Sequence, residues 1–204
     1  DLIGLLAICL LPPLRAAVPQ AGLRLGAVVG NTGYFGISMA LALLPQAALG
    51  PCISYDLVGT MITWSVGPLL LAGQAPQPRQ LLSMVATSPV VHGVVLALLI
   101  QASPWKEPAA ALLWLPARAV LLLAQAVVGM RLGALLRRRS GDGLASDDRA
   151  PMLTALGFKL LLLPLVALAV APLLGLSGLT RTAVVLQAAT PTAVSALLLA
   201  EAAG

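Results

Sequence analysis

Of the 204 residues, 59% are hydrophobic, 9% charged and 3% aromatic, and the mean hydropathy is +0.99. A soluble domain carries about a quarter charged residues, which excludes an ordinary soluble enzyme. Disorder is excluded too, since it requires a polar, charged composition. The formal charge of +5 would suggest nucleic acid in a soluble protein, but here the basic residues separate apolar runs and stacking aromatics are scarce. They are read as topology-setting loop charge, with no nucleic-acid partner.

Seven apolar segments follow in chain order, about 2–18, 22–45, 50–73, 80–102, 109–135, 152–175 and 179–201. Each is near the roughly 20 residues a bilayer-spanning helix needs, and unbroken apolar runs predict helices rather than a barrel. The expected class is all-α and polytopic, with the lipid bilayer as solvent. The first segment starts at once and the last stops with no closing element, so both ends are expected to be cuts through a longer protein. Cys9 and Cys52 form neither a disulfide framework nor a metal site and are read as apolar filler.

The polar stretch RRRSGDGLASDDR over 137–149 is the one convincing solvated loop. Placing it inside puts Arg15, Arg24, Arg79, Arg131, Arg137, Arg138, Arg139, Arg149 and Lys159 at inner ends, against Lys106 and Arg181 outside. That bias predicts a cytoplasmic loop 137–149 in an inner (plasma) membrane protein.

Residues 21–44 (AGLRLGAVVGNTGYFGISMALALL) align without a gap to 177–200 (SGLTRTAVVLQAATPTAVSALLLA). Each has an apolar first half, a polar or helix-weakening middle and an apolar second half. These are the second and seventh segments, five spans apart, so one unit enters the membrane from opposite sides. Paired interrupted helices in an inverted repeat mark a binding site near the midplane. Gly and Pro leave backbone groups without helical partners, which lipid does not tolerate unless they line a cavity. Half-helix N-termini there suit an anion. The candidate binding residues are Asn31, Thr32, Gly33 and Gly36 in the first middle, and Gln187, Thr190, Pro191, Thr192 and Ser195 in the second. The competing reading makes these small residues ordinary helix-packing positions.

At these residues the chain resembles the auxin efflux carrier family of permeases, through GNTGYFGISMALALL and LQAATPTAVSALLLAE with its Pro191, Ala193 and Val194 core. The resemblance implies ten spans as five plus five, of which spans three to nine would be present. Residues 1–73 would end the first inverted repeat, and 74–204 would be the second without its last span. It also implies alternating-access secondary transport of a small organic anion such as a dicarboxylate. A proton or Na⁺ is the expected coupling ion, and a homodimer is allowed. The family usually has Pro where Ser38 stands and often Asn where Ser195 stands, so unwinding in the first crossover would rely on Gly33 and Gly36.

Two ionisable groups are ion-coupling candidates. Asp56 is a carboxylate inside the third segment, costly unless it faces a cavity or a partner; the alternative puts it at the outer interface. His92 is mid-span and a candidate proton shuttle as a histidine; the alternative is a neutral, hydrogen-bonded helix contact. Lys159 is expected to snorkel to the inner surface, and Arg118, four residues after Trp114, to anchor at the outer one. No nucleotide loop, metal cluster or nucleophile motif is present, so neither enzyme activity nor a cofactor is expected. The alternative function is a non-transporting helical membrane scaffold or receptor subunit with continuous helices at 30–38 and 187–195.

Overall fold

The structure, a computed structural model, describes residues 2–71, 78–87, 89–138, 146–193, 195, 196 and 199. Its described elements are helical. Its chain divides into two compact units, residues 1–77 with 144–204, and residues 78–143. This division follows packing, and the repeat boundary expected near residue 73 is a separate matter. Residues 139–145, the middle of the charged loop, lie outside the described residues.

In the first unit, the opening apolar segment is split into α1 (Leu2–Leu10) and α2 (Pro12–Ala17). Pro12 and Pro13 supply no N–H to continue the ladder, so the chain breaks at Leu11, which is extended. Then come α3 (Ala21–Val28), a π-helical turn (Thr32–Gly36) and α4 (Ile37–Leu43). α5 (Leu49–Leu71) is a single helix through Pro68. After the second unit, α9 (Ser146–Gly157), a π-helical turn (Phe158–Leu162) and α10 (Leu163–Leu173) form one continuous rod. Gly175, with φ of 73°, turns the chain in a left-handed conformation that suits glycine. α11 (Gly178–Ala188) follows.

Three apolar clusters hold this unit together. Leu5, Ile8, Val28 and Phe158 tie α1 and α3 to the α9–α10 rod. Leu25, Val29, Ala193 and Ala196 join the two interrupted stretches to each other. Ala40, Ala48, Cys52 and Ala183 pack α4, α5 and α11. Small side chains dominate the last two, which lets backbones approach as membrane helices do.

The second unit contains α6 (Pro78–Thr87), α7 (Pro89–Gln101) and α8 (Lys106–Arg138). α8 is 33 residues long and leaves Leu112, Leu115, Leu122 and Leu123 exposed. Such a surface is at home in hydrocarbon, where helices satisfy their own backbone groups. Among the described residues, 106–130 and 149–173 are long and apolar enough to span a membrane uninterrupted. α5 is also unbroken, while the segments at 2–18, 22–45 and 179–201 are interrupted by Pro12 and Pro13 or by the breaks described next.

Candidate functional site: a backbone crossing between two interrupted helices

Each sequence-predicted middle contains a break, at 29–31 in the first and 189–193 in the second, but Thr32–Gly36 is π-helical and α4 follows at once, so the expectation that the first crossover unwinds at Gly33 and Gly36 is corrected. α3 stops at Val28, with Val29 extended, and α11 stops at Ala188. The two freed strands pair antiparallel, Gly30 opposite Thr192. The Asn31 N–H donates to Pro191 O at 2.7 Å, and the Ala193 N–H donates to Val29 O at 3.0 Å. Pro191 has no N–H to give and Pro is confined to such short edge positions, yet its carbonyl is free to accept.

The carbonyls that each helix end leaves open have identifiable partners, as burial demands. At the end of α11, Val185 O and Leu186 O accept from the Ala189 N–H. Gln187 O accepts from Thr190 Oγ1 at 2.8 Å. At the end of α3, Gly26 O accepts from Thr192 Oγ1 at 2.8 Å, a side chain reaching across from the other crossover. Asn31 O accepts from the N–H groups of Phe35 and Gly36, and Asn31 Oδ1 accepts from Phe35 N–H at 3.4 Å. Asn31 therefore caps the helix that resumes at Thr32.

The last carbonyls of both broken helices share one cation. Lys159 Nζ donates to Val28 O at 3.4 Å and to Ala188 O at 3.3 Å, and the residue is 1% exposed. The expectation that Lys159 snorkels outward is thus corrected. The π-helical turn at Phe158–Leu162 carries it on the packed side of the rod, and two negative helix ends give an ammonium an interior place to rest. Such single-turn π insertions recur at functional sites.

The positive end of the resumed first helix also has a charged neighbour. Thr32 Oγ1 donates to Asp56 Oδ1 at 2.6 Å, and a methyl on Gly33 would stand 3.0 Å from the same oxygen. Asp56 therefore faces the crossover through α5 and is not a free interfacial carboxylate. His92 belongs to the second unit, on exposed α7, with Nε2 2.7 Å from Ala86 O. Arg118 lies over the Trp114 ring, 4.7 Å from its centroid, in keeping with a surface anchor.

Two glycines are needed for the close approach. A Cβ at Gly30 would collide with Thr190 Oγ1 and come 2.8 Å from Lys159 Nζ. One at Gly36 would collide with Gln187 Oε1 and come 2.9 Å from Thr190 Cγ2. Gln187 itself is fully buried. Its Nε2 donates to Cys52 O at 3.3 Å, while its Oε1 has no partner among the described residues. A buried acceptor left open in this way is uncommon and calls for a ligand donor or an ordered water.

One cavity touches the crossing and a second lies along α5 and α11. The first, of about 380 Å³, is lined by Gly22, Gly26, Met152, Thr192 and Ala196. The second, of about 760 Å³, is lined by Ser54, Tyr55, Gly59, Thr180 and Val184. Both volumes suit a small molecule.

Asn31, Thr32, Gly33, Gly36, Gln187, Thr190, Pro191 and Thr192 thus converge on one crossing. Ser195 follows it on the second stretch, half-buried. Lys159, Gly26 and Gly30 were missed as site residues. A charge deep in an apolar run was the available signal for Lys159, and the polar middle already contained Gly30.

A family model described as "Membrane transport protein" matches residues 78–204, more than half of the chain. The chain belongs to this family, the auxin efflux carrier group of membrane transport proteins. The matched region includes α8, the Lys159 rod and the whole second crossover. Comparison with curated proteins and with solved structures gave no match. The chain is a membrane transporter by family, and its interrupted stretches disfavour the continuous-helix scaffold alternative.

Proposed function

We propose that this membrane transporter is a secondary permease for a small organic anion, a dicarboxylate class substrate among the expected cargoes, working by alternating access around the crossing. The observation that carries the reading is the main-chain pairing of residues 29–31 with 191–193. It sits where two helices stop, in a protein whose composition belongs in lipid. Broken helices at membrane depth persist only where they are buried in protein or line a water-filled path.

In this reading the two stretches are corresponding parts of an inverted five-plus-five repeat, with a boundary near residue 73, and their antiparallel crossing is what such a repeat produces. Asn31, Thr32, Gly33 and Gly36 form one wall, and Gln187, Thr190, Pro191, Thr192 and Ser195 the other. Backbone N–H groups of the resumed helices supply the anion with donors, and the open Gln187 Oε1 accepts from a hydroxyl of the cargo. Lys159 and the two helix ends fix the scaffold. The coupling ion is a proton or Na⁺, with Asp56 the better placed of the two candidates, since His92 lies in the other unit. The loop 137–149 is cytoplasmic, in an inner membrane.

The test is uptake of radiolabelled malate and malonate by cells expressing the whole carrier, with Asn31→Ala and Pro191→Ala at matched membrane levels. Transport should fall at least tenfold in each. Unchanged transport in both removes the assigned site.

A further inference from the structure

Asp56 presents a problem to any anion carrier. Its carboxylate is held against Thr32, a residue of the proposed wall, by a 2.6 Å hydrogen bond. It also lies against Gly33, close enough that a methyl there would touch it. A second carboxylate arriving at that wall would meet a like charge at short range in a medium of low dielectric, where repulsion is strong. Among the described residues no cation pairs with Asp56 to cancel it. The elements packed most closely on α5 are α11, α3, α4, the Thr32–Gly36 turn and the short turn at Gln46–Ala48. Their charged or titratable side chains are Arg181, Arg24 and Tyr34. Arg181 donates to Leu168 O, and Arg24 donates to Val18 O and Pro19 O. The ion pair found among the described residues is Lys106 with Glu107, on α8. Lys159 is engaged by the two helix ends.

Thr32 offers a second partner for its single hydroxyl hydrogen. Its Oγ1 also lies 3.5 Å from Gly30 O. Gly30 is the residue that stands opposite Thr192 at the crossing, and neither of the two inter-strand bonds uses its carbonyl.

Resting on the transport reading above, we propose that Asp56 is the proton-binding group of this carrier and that Thr32 carries its protonation state to the crossing. With Asp56 ionised, the Thr32 O–H donates to Oδ1. A proton arriving from water adds to Oδ1. The new Asp56 O–H then donates to Thr32 Oγ1, and the Thr32 hydrogen turns to Gly30 O. The negative charge at the wall disappears as the strand at Gly30 gains a bond. Anion and proton are therefore bound together, and the cargo enters with its charge offset by one proton.

The experiment is pH-difference infrared spectroscopy of the whole carrier in lipid bilayers, unlabelled and with ¹³C-carboxyl aspartate. Between about pH 5 and about pH 9, a range that brackets perturbed carboxylates, an aspartic-acid carbonyl band should appear and disappear, and the label should shift it. Asp56→Asn should abolish it, Thr32→Val should move it, and Thr32→Ser should restore it. The wild-type label shift and the Thr32 pair keep the test decisive if Asp56→Asn is unstable. No labelled band, a band that survives Asp56→Asn, or a band indifferent to Thr32→Val overturns the proposal. In proteoliposomes, an inward proton gradient should raise malate accumulation by up to about tenfold per pH unit for one proton per anion. In Asp56→Asn the ratio with and without gradient should fall to about one. Malate movement driven by Na⁺ and indifferent to the proton gradient overturns the coupling and leaves the transport reading standing. Absence of malate and malonate movement, with the band intact, removes the dicarboxylate class and leaves Asp56 as a proton site.

Discussion

Replacing Lys159 by Met and by Glu separates a charge clamp from simple filling. Lys159 Nζ lies 3.4 Å from Val28 O and 3.3 Å from Ala188 O. A cation at a partly buried helix C-terminus is stabilised by up to about 2 kcal/mol, so two ends give about 4 kcal/mol at most. Met loses this, but it also removes the several kcal/mol cost of keeping an ion out of water. The two opposing terms are of similar size, so the net change is expected to stay within about 2 kcal/mol, which the protein survives. Glu reverses the sign at both ends, so the dipole term swings by about 8 kcal/mol while the burial cost stays. That swing is comparable with the whole stability of a typical domain, about 5–15 kcal/mol. Membrane yield and fluorescence-detected thermal unfolding in detergent should therefore leave Met close to wild type and Glu far below both, with Glu failing to give a monodisperse protein. If Glu is tolerated as well as Met, the two helix ends do not create the field ascribed to them.

Gly36→Ala should reduce transport by at least tenfold, because its methyl would meet Gln187 Oε1 and Thr190 Cγ2, whereas Gly157→Ala meets nothing within 4 Å and should transport normally; uptake at equal expression compares them. Thr192→Val removes the hydroxyl bond to Gly26 O and should cost about 1 kcal/mol, read as a lower unfolding midpoint, with Thr192→Ser restoring it. Arg118→Lys keeps the charge over Trp114 but loses planar stacking; with exposed partners the change should stay below about 1 kcal/mol and leave uptake unaltered.

The all-helical class and both interruptions could be read from the chain because their signals are local. Gly30 to Gly36 and Gln187 to Thr192 place helix-weakening residues inside apolar runs, and in lipid such runs have few other uses. What stayed hidden depends on contacts between distant segments. Lys159 was legible as a charge inside an apolar run, but its partners are hidden until α3 and α11 are known to end beside it, some 131 and 29 residues away along the chain. Asp56 was legible as costly, but its partner Thr32 is set by how α5 packs on the crossover. The break at Leu11 follows from Pro12 and Pro13, yet apolar length alone joined the two pieces into one segment. His92 shared Asp56's signal, a titratable group in a span, and only packing distinguishes them.

The seam between the two interrupted stretches is fastened by amide hydrogens and carbonyls, which every amino acid carries. Side chains at Thr190, Thr192 or Ser195 can therefore be exchanged without unpicking it, so long as the glycines that admit close contact stay. In the transport reading, cargo choice is then free to change through a few surrounding letters while the seam is inherited intact.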